Sequence, residues 1–149
     1  MSILLMIEEP KWRKKRGLGA RIKRAAELAR TRGGNAKGAL TILLASDRKL
    51  KLLNATFRGK DKPTNVLSFP ARQRDYLGDI AIAYGVTEKE ARAQKKAFAD
   101  HALHLTVHGV LHLMGYDHET ARAARVMEPL ETAILGELGV ADPYASEAA

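Results

Sequence analysis

The stretch HGVLHLMGYDH, residues 108 to 118, constrains this chain more than any other. His108 and His112 stand four residues apart, so on a helix their rings leave the same face one turn apart. Gly115 then offers the left-handed backbone that ends such a helix and turns the chain, which brings His118 back toward the first two. Three neutral imidazoles so placed can hold a zinc ion at about 2.0 to 2.1 Å and leave a fourth position open, as catalytic zinc sites do. The plainer alternative is three histidines that serve separately as buried or surface polar residues.

The spacing H-x-x-x-H-x-x-G-x-x-H is also that of one group of zinc peptidases, in which a glutamate follows the first histidine and acts as general base. Here that position is Gly109. Glycine can neither take a proton from water nor pass one to a leaving amine, so peptidase chemistry is disfavoured. The missing side chain is expected to leave room beside the metal for a bulky nucleotide. His104 and His101 share the helical face of His108, one and two turns earlier, too far along the axis to join His112 and His118 in one ligand shell. His104 is expected to support a ligand or to face substrate, and His101 is given no role.

The chain of 149 residues is long enough for one well-cored domain and short for two. It contains no cysteine, so disulfides and thiolate sites are excluded and a transition metal must be held by His, Asp or Glu. The net charge of +8 is unevenly spread: Lys11, Arg13, Lys14, Lys15, Arg16, Arg21, Lys23, Arg24, Arg30, Arg32 and Lys37 face the single acid Glu27. Such a run is either a solvated helix face or an arm for a polyanion, most naturally nucleic acid. Its one aromatic, Trp12, favours phosphate contacts over base stacking. The apolar run from Ile3 to Ile7 is followed at once by Glu8, Glu9 and Pro10, so neither signal peptide nor membrane span is read and a cytoplasmic location is expected.

Apolar periodicity yields strands at 2–7 and 39–45, a third that enters from GKDKPTNVLSFP and is closed by Pro70, and a fourth that begins at Gly78. A helix through Leu18, Ile22, Ala25, Ala26 and Ala29 stops at Gly33-Gly34, and another runs from a Ser46 or Asp47 cap to Gly59. Thr87 and Glu90 form a capping box for a helix running to Gly115 with a break near Asp100, and a last helix spans 119–138 with a kink at Pro129. These elements predict an α+β fold: a single domain, 1–140, with a small, mostly four-stranded sheet packed with helices and a metal site on a central helix. Residues 141–149 read as a disordered tail.

Three segments together, HLTVHGVLHLMGYDH from His104, LNATFRGKDKPTNVLSF from Leu53 and LGDIAI from Leu77, resemble the YbeY family of bacterial endoribonucleases, also called rRNA maturation factors. The likeness runs from about residue 40 to residue 138, and the basic stretch carries no comparable motif. The resemblance implies a metal-dependent single-strand endoribonuclease that acts in rRNA maturation, including 16S rRNA 3′ end processing, and in ribosome quality control. It implies rRNA and the small ribosomal subunit as partners. By position it makes His108, His112 and His118 the metal ligands, for one Zn2+ per chain or another divalent transition metal such as Ni2+, and Arg58 the catalytic basic residue. Phe57 stands where the family often has tyrosine and Asn65 where it often has aspartate, so neither is given a proton-transfer role.

Read without the resemblance, Arg58 is either a surface arginine favoured by its helix end or a guanidinium that spreads charge over phosphate oxygens. Asn65 and Ser68 either point to the site or hold their loop by local hydrogen bonds. Asp79 either orients a ligand imidazole or caps a turn. Two other classes of function compete: a non-catalytic zinc-containing assembly factor that binds rRNA, and a metallohydrolase for another substrate. An open ligand position argues against the first, and the missing glutamate with the basic charge against the second.

Overall fold

The computed structural model describes residues 3–34 and 36–144. The apolar runs become β1 (Ile3–Ile7), β2 (Ala39–Ala45), β3 (Val66–Gln73) and β4 (Tyr76–Ala83), which form one mixed sheet in the order β1-β2-β4-β3. The β1–β2 and β2–β4 pairs are parallel and β3 runs antiparallel to β4. A parallel neighbour needs a crossover, and α1 (Leu18–Arg32) supplies the one between β1 and β2. The helices α2 (Asp47–Arg58), α3 (Tyr84–Ala93), α4 (Phe98–Leu113) and α5 (Ala121–Glu137) complete the α+β domain expected from the sequence.

Alternation along β4 sorts the helices between the two faces of the sheet. Ile80 and Ile82 enter the main core with Ile22 and Ala26 of α1 and Val107, Val110 and Leu111 of α4. Ala81 and Ala83 enter a smaller core with Leu50 of α2. Thus α2 covers one face and α4 the other, and β3 is the edge strand between them, with β1 at the opposite edge. The histidine helix α4 sits centrally, packed against α1, α3, α5, β3 and β4.

Three local expectations are corrected. Pro70 does not close β3; it lies within that strand, pairs in register with Gly78, and is tolerated because an edge strand can forgo one N–H bond. Thr87 is not a cap, because β4 runs into α3 without a loop; its Oγ1 bonds the Ala83 carbonyl at 2.5 Å, while Asp47 Oδ1 accepts the first-turn Val86 N–H at 2.9 Å. The break before α4 falls at residues 94–97, with Lys95 at φ +56°, and Asp100 lies in the first turn of α4. Trp12 is a core residue, 3 % exposed, that donates to the Ala45 carbonyl and packs against Tyr84 and Phe98.

Candidate metal centre

His108 and His112 leave α4 one turn apart, and their Nε2 atoms lie 3.0 Å from each other. Two nitrogens bound to one zinc at about 2.0 to 2.1 Å and at the tetrahedral angle lie about 3.3 Å apart, so this separation suits a shared cation. Gly115, at φ +100°, turns the chain after α4. The returning loop is pinned when Tyr116 donates its hydroxyl to the Gly33 carbonyl at 2.7 Å. His118 then meets His108 and His112 with ring centroids at 4.9 and 5.5 Å, and the ligand nitrogens of all three lie within 4.8 Å of one another. Burial, reinforced by His108 and His118, pushes the His112 imidazole down to about 4, so its ring is neutral at physiological pH and able to donate a lone pair. The donor set therefore fits a divalent cation.

Behind the trio lies a residue that the sequence reading missed. Glu131 projects from α5 into the core with no exposed surface. Its Oε2 accepts from His104 Nε2 at 3.0 Å and His108 Nδ1 at 3.1 Å, and its Oε1 accepts the Tyr144 hydroxyl at 2.9 Å. Burial pulls this carboxyl upward, but the bonds from His104 and His108 outweigh it and hold the group at about 2. A carboxylate on Nδ1 fixes the tautomer of His108 and leaves Nε2 as the electron-pair donor, the arrangement by which outer groups orient zinc-binding histidines. A signal was present in the sequence: Met127, Glu131, Ile134 and Leu135 share the buried face of α5, so an acid interrupts an apolar stripe. Burial lowers His104 against the pull of Glu131, the carboxylate it shares with His108.

The trio lines a cleft of about 740 Å³ that also reaches Arg58, Asn65, Ser68, Glu90, Lys96, His101, His104 and Tyr144. Arg58 is the last residue of α2, exposed, and among the described residues it forms no ion pair. Asn65 both accepts the Val66 N–H at 2.7 Å and donates to Glu90 at 3.0 Å. Ser68 donates to the Gly109 carbonyl at 3.1 Å, so it ties β3 to α4. His101 is buried, with Nε2 on Glu90 Oε1 at 2.8 Å.

Other expectations fare differently. Gly109 does not open space beside the histidines: a Cβ there would meet Ile80 at 3.0 Å and Ser68 Oγ at 3.3 Å, so the glycine lets α4 approach the sheet. Asp79 is exposed beside Tyr76, with which it bonds, and lies on the α2 side of β4, away from the trio. No described residue of the basic stretch 11–37 lines the cleft. Two of its members are tied down: Arg30 is buried and donates to the Gly38 carbonyl, and Arg32 pairs with Glu137 through two 2.8 Å bonds. Tyr144, read from the sequence as part of a disordered tail, lies against His104; residues 145–149 are outside those described.

A family profile described as Endoribonuclease YbeY matches residues 7–139. The chain belongs to the endoribonuclease YbeY family. The match takes in the basic stretch as well as the three motif segments. An Endoribonuclease YbeY of Rhodopseudomonas palustris is 47 % identical over 96 % of this chain and 80 % of its own length. One from Nitrobacter hamburgensis is 49 % identical over 91 % of this chain and 78 % of its own. Among solved structures, the solution structure of TM1509 from Thermotoga maritima has a TM-score of 0.67 at 28 % identity, covering 99 % of this chain and 92 % of that one. No helix among the described residues is long and apolar enough to cross a membrane.

Proposed function

We propose that this chain is a metal-dependent endoribonuclease that cuts single-stranded RNA, acting in the cytoplasm in rRNA maturation, including 16S rRNA 3′ end processing, and in ribosome quality control. The observation that carries the chemical part is the convergence of the His108, His112 and His118 nitrogens in the wall of a cleft that also reaches Arg58. These three histidines would hold one Zn2+, with another divalent transition metal such as Ni2+ as the alternative. A cation held there supplies Lewis acidity toward a phosphodiester oxygen and toward water.

The chain's own groups do the rest. The cleft volume falls within the range of about 300 to 1,000 Å³ that accommodates ligand-sized groups, here the nucleotides flanking one phosphate. The unpaired Arg58 fork can meet two non-bridging oxygens of that phosphate and stabilise charge that grows on them. Lys96, elsewhere in the cleft lining, suits a neighbouring phosphate. Glu131 is buried and fully engaged, so it orients His108 rather than taking a proton from substrate. The exposed lysines and arginines of the 11–37 stretch lie outside the cleft and suit the flanking RNA of a large substrate such as the small ribosomal subunit.

Arg58→Ala tests the division of labour. Zinc content and fold should stay as in the wild type, while cleavage of a single-stranded RNA falls by about 10² to 10³, the scale for loss of one oriented charge donor. Arg58→Lys should restore little, because a point charge lacks the planar fork. Undiminished cleavage by Arg58→Ala would remove Arg58 from the mechanism.

A further inference from the structure

Glu131 needs donors on both oxygens because it is a carboxylate with no exposed surface, and among the described residues no lysine or arginine pairs with it. Helix α4 supplies two, both to Oε2: His104 Nε2 and His108 Nδ1. The donor to Oε1 comes from beyond α5, from the Tyr144 hydroxyl. A buried oxygen stripped of its partner drives the carboxylate to turn and share the donors left to it.

The segment after α5 is built to deliver that hydroxyl. Val140 is buried and its N–H bonds the Leu135 carbonyl at 2.9 Å. Asp142 Oδ1 accepts both the Thr132 hydroxyl, at 3.1 Å, and the Tyr144 N–H, at 2.9 Å. The Tyr144 ring meets the His104 ring edge to face, centroids 5.8 Å apart at 84°.

We propose that Tyr144 is a positioning residue of the metal centre: by holding Oε1 of Glu131 it keeps Oε2 on His108 Nδ1, which leaves His108 Nε2 free to bind the cation. The proposal rests on the reading of His108, His112 and His118 as metal ligands. It makes residues 140–144 a part of the site rather than an appendage. Without the hydroxyl the carboxylate is free to rotate, His108 exchanges between its two tautomers, and one of those places a proton where the cation binds.

The test uses the full chain with Tyr144→Phe, which keeps the ring against His104 and deletes the hydroxyl. Zinc affinity is measured by competition with a chromophoric chelator, and the His108 tautomer of the metal-free chain by 15N NMR. Zinc affinity should fall by about tenfold, the low end of the effect of outer-shell partners, and the His108 signals should move from the Nδ1–H form toward a mixture. Placed on Glu131→Gln, Tyr144→Phe should add nothing further, because it acts through that carboxylate. Thr132→Val, which loosens Asp142 from outside the site, should shift affinity the same way by less. Wild-type zinc affinity and an unmoved tautomer in Tyr144→Phe would overturn the proposal alone, as would an effect additive with Glu131→Gln. A wild-type chain that binds no zinc would overturn the ligand reading and the proposal with it.

Discussion

The polar face of α4 carries two histidine–carboxylate clusters, and His101 and His108, two turns apart, differ in which nitrogen they give to the carboxylate. At the N-terminal end, Glu90 accepts the Nε2 of the buried His101 and also the Asn65 amide. That pairing closes on itself: the outer nitrogen is consumed, and the cluster ties α3, the approach to β3 and α4 together. At the C-terminal end, Glu131 takes Nδ1 of His108 from behind. The ligand nitrogens of His108, His112 and His118 are thereby left to face one another, with no carboxylate of the described residues between them. Both clusters line one cleft. A histidine count would treat them alike, yet His101 has its Nε2 closed by Glu90 while His108 keeps Nε2 open toward His112.

The largest effect should come from breaking the open cluster. His112→Ala is expected to abolish stoichiometric zinc binding, and RNA cleavage should drop to the level of chelated wild type; His101→Ala should leave zinc content near one per chain. Elemental analysis of the two purified variants checks the pair, and equal zinc loss in both would erase the distinction. A smaller effect separates the carboxylates. Glu131→Gln should weaken zinc by about 10- to 100-fold, whereas Glu90→Gln should leave zinc affinity unchanged and lower only thermal stability. Chelator competition and a melting curve on each variant measure this, and weakened zinc in Glu90→Gln would place the N-terminal cluster within the metal site.

The smallest expected effect is the response of the metal-free chain to acid. Burial, with His108 and His118, holds His112 near 4 against an ordinary 6.5. Above 6.5 the ring is neutral whether folded or not; between 6.5 and 4 the unfolded chain binds a proton that the folded chain refuses, so stability falls as pH drops through that window. Burial pulls Glu131 up, yet His104 and His108 hold it at about 2 against 4.5, so its contribution is present above 4.5 and lost as pH falls toward 2. Urea unfolding of metal-free protein should therefore show a decline in two stages, with Glu131→Gln removing the lower one. A flat profile between 6.5 and 4 would mean that His112 protonates as easily folded as unfolded.

Much of this was legible in sequence because it depends on local spacing. His108, His112, Gly115 and His118 span eleven residues, and helix geometry with one turn brings them together. The four strands and the helix around Leu50 also followed from periodicity. Glu131 was not read because it lies 23 residues from His108, and the fact that α5 crosses α4 at that point is tertiary. Tyr144 was hidden for the same reason, in a polar stretch that resembles any tail. Gly109 was misread by attention to the histidine row alone. The neighbouring row on α4, Leu105, Gly109 and Leu113, is buried, and its glycine answers to Ile80 on the sheet rather than to substrate. Gly109→Glu would accordingly drive a carboxylate into that packed layer, a folding lesion rather than a restored general base.

RNA cleavage by this chain is proposed to depend on a cation held by His108, His112 and His118. The most direct test of that dependence is cleavage of a single-stranded RNA by one preparation of the wild-type chain, assayed as purified, after removal of metal by a chelator, and after return of one equivalent of zinc. About one zinc per chain is expected at the start, with loss of cleavage on removal and recovery on return. Full cleavage by protein shown to be metal-free would contradict it.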